Sequence, residues 1–173
     1  MNTLSIRKIL KSDLPTLLAF RNNSSFMDFC TNRKQVVTLA EFENEILHDF
    51  SNDRQVQFLV LVGGIPIGTV WIYALNDQLN HAFISTFMAD AWRNKGYGVY
   101  AHCRILQFMF EEVEIHTMYA DVYIENSFSI RTMEKRGWQF EKKLTEKIIR
   151  YRGRFDDFKQ NALPFASKCL YIK

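Results

Sequence analysis

Residues 93–98, Arg93-Asn94-Lys95-Gly96-Tyr97-Gly98, set two cations and two glycines between an apolar strand-like run and an apolar helical one. A helix starting here offers unpaired N–H donors and a partial positive charge, which is the chemistry of a diphosphate cradle. Gly96 and Gly98 have no Cβ to obstruct a phosphate oxygen, while Arg93 and Lys95 add charge at the rim. The stretch lacks the G-K-[ST] ending of a nucleoside triphosphate loop and the G-x-G-x-x-G of a dinucleotide site. A hexamer of the form [RQ]-x-x-G-x-[GA] arises by chance in on the order of one chain of this size in ten, so a bare turn is the competing reading and the surroundings must decide.

Other reactive side chains are scattered. His48, His81, His102 and His116 show no metal-ligand spacing, and no metal site is expected. His81 falls two residues before Phe83 on one face of a predicted strand, where it either ends the strand or serves as a base. Cys30, Cys103 and Cys169 are odd in number and far apart, which argues for reduced thiols and a cytoplasmic protein. The basic run Lys142, Lys143, Lys147, Arg150, Arg152 and Arg154 is interrupted by Glu141 and Glu146 and reads as a solvated hairpin face, or as a receiver of an acidic group.

These residues need a scaffold, and the apolar pattern predicts one. "LSIRKI" reads as a strand, followed by a helix capped by Ser12 with Leu14, Leu17 and Leu18 at helical spacing. Thr38 and Glu41 form a capping box ahead of a helix with Phe42, Ile46 and Phe50 on one face and Glu41, Glu43, Glu45 and Asp49 elsewhere. "VQFLVLV" and "PIGTVWIYAL", joined at Gly63-Gly64, predict an antiparallel hairpin. "HAFISTFM" reads as a strand buried on both faces, and 97–113 as a long helix whose inner face holds Cys103, Leu106, Phe110 and Val113. "MYADVYI" is a further strand, 126–136 a helix ended by Gly137, and 139–164 a closing hairpin about Gly153. The strand before Arg93 and the strand at 118–124, connected through one helix, are expected to pair in parallel.

Length and charge restrict the rest. A chain of 173 residues, 47% apolar, forms one domain over residues 1–173. A net charge of +3 without like-charge blocks gives no reason to expect nucleic acid, and the densest apolar run, "FLVLV", is far short of a membrane span or a signal peptide core.

The strand, "MADAWRNKGYG", the long helix, "ADVYIEN" and the helix ending "MEKRGWQF" together resemble the GNAT superfamily of acyl-CoA N-acyltransferases. The resemblance implies an α/β (α+β mixed) fold: a central, mostly antiparallel mixed sheet with one parallel strand pair and helices on both faces. It implies acetyl-CoA as cosubstrate and direct transfer to an amine acceptor. Arg93, Asn94, Lys95, Gly96, Tyr97 and Gly98 would hold the pyrophosphate, Asn126 would contact the pantetheine region, and backbone N–H groups at Phe87 and Met88 would polarise the thioester carbonyl. Arg21-Asn22, Asn126 to Ser129 and Gly153 to Asp157 place the chain nearest to the ribosomal-protein N-terminal and polyamine acetyltransferases.

Two departures from that pattern shape the expected mechanism. Met133 stands where many relatives have a Tyr that protonates the leaving thiolate, and Phe83 stands where they often have a Glu on the strand before the loop. Ser129, one turn before Met133, is the candidate to supply a proton or hydrogen bond, and His81 the candidate base. Without the Glu, an acceptor with a low-pKa amine, a protein N-terminus or an amino sugar, is favoured, with a polyamine next. The alternative is a non-catalytic acyl-CoA-binding or sensing domain, and the assembly is open between monomer and homodimer.

Overall fold

The computed structural model describes residues 4–29, 35–50, 53–76 and 78–157, without the side chains of 47–50. Strands β1 (Leu4–Lys8), β2 (Val56–Val62), β3 (Ile65–Asn76), β4 (His81–Met88), β5 (Thr117–Tyr123), β6 (Gln139–Lys143) and β7 (Ile148–Arg154) make one sheet, ordered β1-β2-β3-β4-β5-β7-β6. Every neighbouring pair is antiparallel except β4 and β5, which are parallel as expected. Helices are α1 (Leu14–Arg21), α2 (Ser24–Asp28), α3 (Leu39–Phe50), α4 (Tyr97–Glu111) and α5 (Ser127–Glu134).

Strand β2 shows why helices sit on both faces. Its residues alternate between two cores, because successive strand side chains point to opposite sides. Phe58, Val60 and Val62 join the main core beneath α4, whereas Leu59 and Leu61 join Leu17 of α1 and Phe42 and Ile46 of α3 on the other face. Helix α5 lies on the α4 side through Ile130 and Met133. No helix among the described residues is long and apolar enough to cross a membrane.

Several local expectations need correction. Ser12 does not cap α1: it lies in a short 3-10 turn, and Asp13 organises the start, accepting from the Leu10 N–H (2.7 Å) and pairing with Arg7 (2.7 and 2.8 Å). Strand β4 is buried on both faces only toward its end, where Phe20 and Phe26 cover Phe87 and Met88 joins the main core; earlier, Ala82 and Ile84 are covered by α4 while His81 and Phe83 are half-buried and Ser85 is exposed. The inner face of α4 holds the expected Leu106 and Phe110 together with Ala101, His102, Ile105 and Met109, and Val113 packs against the same core, whereas Cys103 is only half-buried. The closing hairpin turns at 144–147, where Leu144 and Thr145 donate to the Ile148 carbonyl; Gly153 is buried inside β7 opposite Met118. The Thr38–Glu41 capping box is present, with Thr38 N–H donating to Glu41 at 2.7 Å and Glu41 N–H to Thr38 Oγ1 at 3.3 Å. Cys30 and Cys169 lie outside the described residues, as does the side chain of Phe50.

Candidate active site

The parallel pair β4/β5 is short. His81, Ala82 and Phe83 pair with Thr117, Met118 and Tyr119, and the ladder stops there, while β3 follows β4 to Met88 and β7 follows β5 to Tyr123. The sheet thus forks, leaving a gap between residues 84–88 and 120–123. The Ala89 N–H donates to Ile67 O at 2.9 Å, which sets the phase of the β3/β4 ladder. Residues 85, 87 and 89 turn their backbone polar groups to β3, and 84, 86 and 88 turn theirs into the gap. Of the two amides expected to polarise a carbonyl, Met88's faces the gap and Phe87's faces β3. An extended, amide-bearing ligand could pair with this bare edge as an added strand would.

Beyond Met88, a 3-10 turn (Asp90–Trp92) leads into the loop and α4. Gly96 is the N-cap residue of α4 at φ 85°, a left-handed conformation that disfavours any side chain, and an added Cβ there would meet open space. Gly98 serves packing, because a Cβ there would stand 3.0 Å from Met88 Cγ. The first N–H to bond back in α4 is that of Tyr100, to Gly96 O (3.0 Å). Among the described residues, the amides of 96–99 therefore bond to no backbone carbonyl, which is the donor arrangement an anion site requires.

The side chains of this loop are less available than its backbone. Arg93 Nε donates to Met88 O (2.9 Å), its Nη2 to Ser25 Oγ (2.8 Å), and it pairs with Asp90 at 3.1 Å while lying 5.7 Å from the Phe87 ring centroid. Lys95 Nζ donates to Ala91 O (2.8 Å) beside the Trp92 ring. Asn94 and Tyr97 flank the glycine turn, Asn94 at φ 59° and Tyr97 against Trp92.

At the point of the fork the exposed face of the sheet carries rings. Phe83 stacks on Tyr73 (5.4 Å) and tilts against Tyr119 (5.3 Å), and His81 meets both Phe83 and Tyr119 edge-on. Arg150 of β7 covers Phe83 at 4.6 Å and is locked to Asp121 by two hydrogen bonds of 2.7 and 2.8 Å. Where relatives often carry a Glu, this chain therefore has an aromatic ring under a guanidinium. The sequence offered Arg150 only as one member of a basic run, since its placement over Phe83 depends on the β5/β7 register.

Asn126 caps α5 at the far end of β5, accepting from the Ser129 N–H at 3.1 Å. The Ser129 hydroxyl is half-buried and makes no hydrogen bond among the described residues. His81 pairs with the first residue of β5 and Ser129 follows its last, so the strand separates the two candidate catalytic residues by roughly 20 Å at about 3.3 Å per residue.

Two motifs prove to be scaffold. Arg21, 5% exposed, binds Glu45 and Gln35 O, and Asn22 exchanges two hydrogen bonds with the Val37 backbone (2.8 and 3.0 Å), so Arg21-Asn22 joins α1 to α3. Glu41 and Glu45 of the acidic helix are consequently committed to a cap and an ion pair. His102 is buried against Thr86 (3.1 Å) and Trp138 on the α4 side; burial lowers its pKa to about 3, with a smaller push from Arg136, and keeps it neutral. Among the described residues no group of three or more His, Cys, Asp or Glu is placed to hold a metal ion.

The family model of the acetyltransferase (GNAT) domain matches residues 3–139. A probable N-acetyltransferase of Bacillus subtilis, YjcK, is 30% identical over 133 residues, 75% of this chain and 71% of that one. The spermidine N(1)-acetyltransferase of Vibrio cholerae is 24% identical over 159 residues, 91% and 90% of the two chains. The crystal structure of spermidine N-acetyltransferase from Vibrio cholerae with CoA and spermine superimposes with a TM-score of 0.84 at 20% identity, covering 90% of this chain and 98% of that one.

Proposed function

The chain belongs to the GNAT acetyltransferase family, which uses acetyl-CoA, and from that premise we propose that it acetylates a primary amine of low pKa, a protein N-terminus or an amino sugar. The observation that carries the choice of acceptor is Arg150 over Phe83 at the fork. Arg150 already holds the Asp121 carboxylate there, and no carboxylate stands at the position of the family's Glu to remove a proton. At pH 7 an α-amine of pKa about 7.7 to 8.0 is roughly a tenth neutral, whereas a lysine-like amine near 10.4 is neutral only to about 0.04%.

The residues fit the donor. The unpaired amides of 96–99 and the open space at Gly96 suit a diphosphate, with Arg93 and Lys95 contributing charge from behind rather than direct contacts. When bound, acetyl-CoA supplies an acyl carbon activated as a thioester. The bare edge of β4 would orient the donor's amides, and the Met88 N–H would donate to the developing oxyanion. Ser129, beyond β5, would donate a hydrogen bond to the departing sulfur, and Asn126 would hold that turn in place. His81, beside Phe83 and Tyr119 and roughly 20 Å along β5 from Ser129, would receive the amine's proton through a chain of waters, since it does not reach the same acyl centre directly.

A polyamine acceptor is the second reading, favoured by the likeness to spermidine acetyltransferases. The commitment of Glu41 and Glu45 to structural bonds weakens the support that the acidic helix gives it.

An acceptor panel with free-thiol detection tests the proposal: a peptide α-amine, glucosamine, spermidine and lysine, each from pH 6 to 9. The expected result is highest kcat/KM at pH 7 for one of the first two, rising with that acceptor's own titration. Spermidine or lysine leading at pH 7 would sink the low-pKa reading, and binding without thiol release from any amine would sink the activity.

A further inference from the structure

Helix α2 is poorly explained by its own sequence. Five residues are too few for a helix to persist in water, and none of its side chains is buried. External contacts hold it. Ser25 Oγ donates to Asp90 Oδ1 (2.8 Å), accepts from Arg93 Nη2 (2.8 Å) and touches Asn23 Oδ1; Asn23 in turn caps the helix through the Ser25 N–H (2.9 Å) and reaches Asp90 at 3.4 Å. The Phe26 ring lies 5.4 Å from that of Phe87 on β4, and Phe29, just past the helix, lies 6.3 Å from Tyr123 on β5. Phe87 and Tyr123 belong to opposite sides of the gap. Helix α2 therefore bridges its open end, and its polar anchorage is the segment that runs into the unpaired amides.

We infer that Ser25 and Asp90 are positioning residues that tie α2 to the 93–98 loop through Arg93, coupling occupation of the loop to the order of the helix that bridges the gap. The inference rests on the reading of 93–98 as the coenzyme A loop. Its physical basis is linkage. Arg93 grips the Met88 carbonyl on one side and Ser25 on the other, so a ligand that fixes the loop also fixes the anchor of α2 and lowers the cost of ordering it. The coupling runs in reverse too, and a chain with α2 in place presents the loop ready for its ligand.

The test is hydrogen–deuterium exchange of residues 24–29 in the full chain, with and without coenzyme A, beside calorimetry of coenzyme A binding. Coenzyme A should slow exchange in this segment by about fivefold or more. In Ser25→Ala and Asp90→Ala that slowing should fall below about twofold, while coenzyme A still binds, its Kd weakened by no more than the lost coupling, about fivefold to tenfold. Ser25→Thr, which keeps the hydroxyl, should recover both. With a peptide α-amine or spermidine as acceptor, whichever is turned over, Ser25→Ala should raise the acceptor KM by about fivefold; a purely structural role would lower Tm and leave KM unchanged. Equal slowing in the wild type and both alanine variants, or no slowing in a wild type that binds coenzyme A, would overturn the inference. A wild type that fails to bind coenzyme A at all would overturn the loop reading and the inference together, and calorimetry separates that outcome from the others.

Discussion

The two ends of the β4/β5 gap are built from different materials. At the loop end the working parts are backbone: unpaired amides, a left-handed Gly96, and a Gly98 thin enough for α4 to approach Met88. At the fork they are side chains from four strands, Tyr73, Phe83, Tyr119 and Arg150, brought together by register alone. A backbone site can be kept with few fixed residues, so it suits the ligand common to a family. A side-chain surface changes with each substitution, and that is where acceptor choice can diverge.

The predictions press on this contrast, beginning with the residue that belongs to neither end. Ser129→Ala should lower kcat by roughly 10- to 100-fold with little change in acetyl-CoA affinity, measured where chemistry limits turnover. An unaltered kcat would return Ser129 to packing and leave Tyr119 and Tyr123 as the hydroxyls to examine. Gly96→Asp should weaken coenzyme A binding at least about tenfold, about 1.4 kcal/mol, in calorimetry, since it adds both a side chain at a positive φ and a like charge. Equal affinity in a folded variant would mean that the loop backbone is not the donor site.

Arg150→Ala should act on the other end only. It uncovers Phe83 and leaves Asp121 without its cation, so kcat/KM for spermidine relative to a peptide α-amine should rise by about fivefold, with acetyl-CoA KM unchanged within about twofold. A matching change in donor KM would show that the two ends are not separable.

A separate effect, away from both ends, is on stability. His102 is held neutral in the fold down to about pH 3, while the unfolded chain protonates it near 6.5. Between those values the unfolded state binds the extra proton, so stability falls as pH drops from about 6.5 toward 3, by up to about 1.4 kcal/mol per pH unit. Thermal melts from pH 7 to 4 should show a shallower acid decline for His102→Gln than for the wild type. Coenzyme A affinity at pH 7 should be unchanged, because the ring is buried against Thr86 and Trp138, one helical turn past Gly98.

Elements with a local cause were legible. The Thr38–Glu41 box, the Gly63-Gly64 hairpin and the helix after Gly96 each depend on residues close in sequence, and each formed where expected. The turn expected at Gly153 failed because β7 carries that glycine into the sheet beside Met118, where pairing across the chain outweighs its turn preference. Helix α2 was invisible for the opposite reason, since its polar anchor lies some 65 residues ahead at Asp90.

By itself the sequence determined the order of the strands and of the helices other than α2, and the start of α4 at the glycine loop, because apolar period and φ preference act within a few residues. Only the tertiary structure decided which amide of β4 faces the gap, which side chains Arg93 holds, and that Arg150 covers Phe83. Those outcomes follow from ladder phase and register, and a shift of one residue in either would turn every one of these groups to the other side.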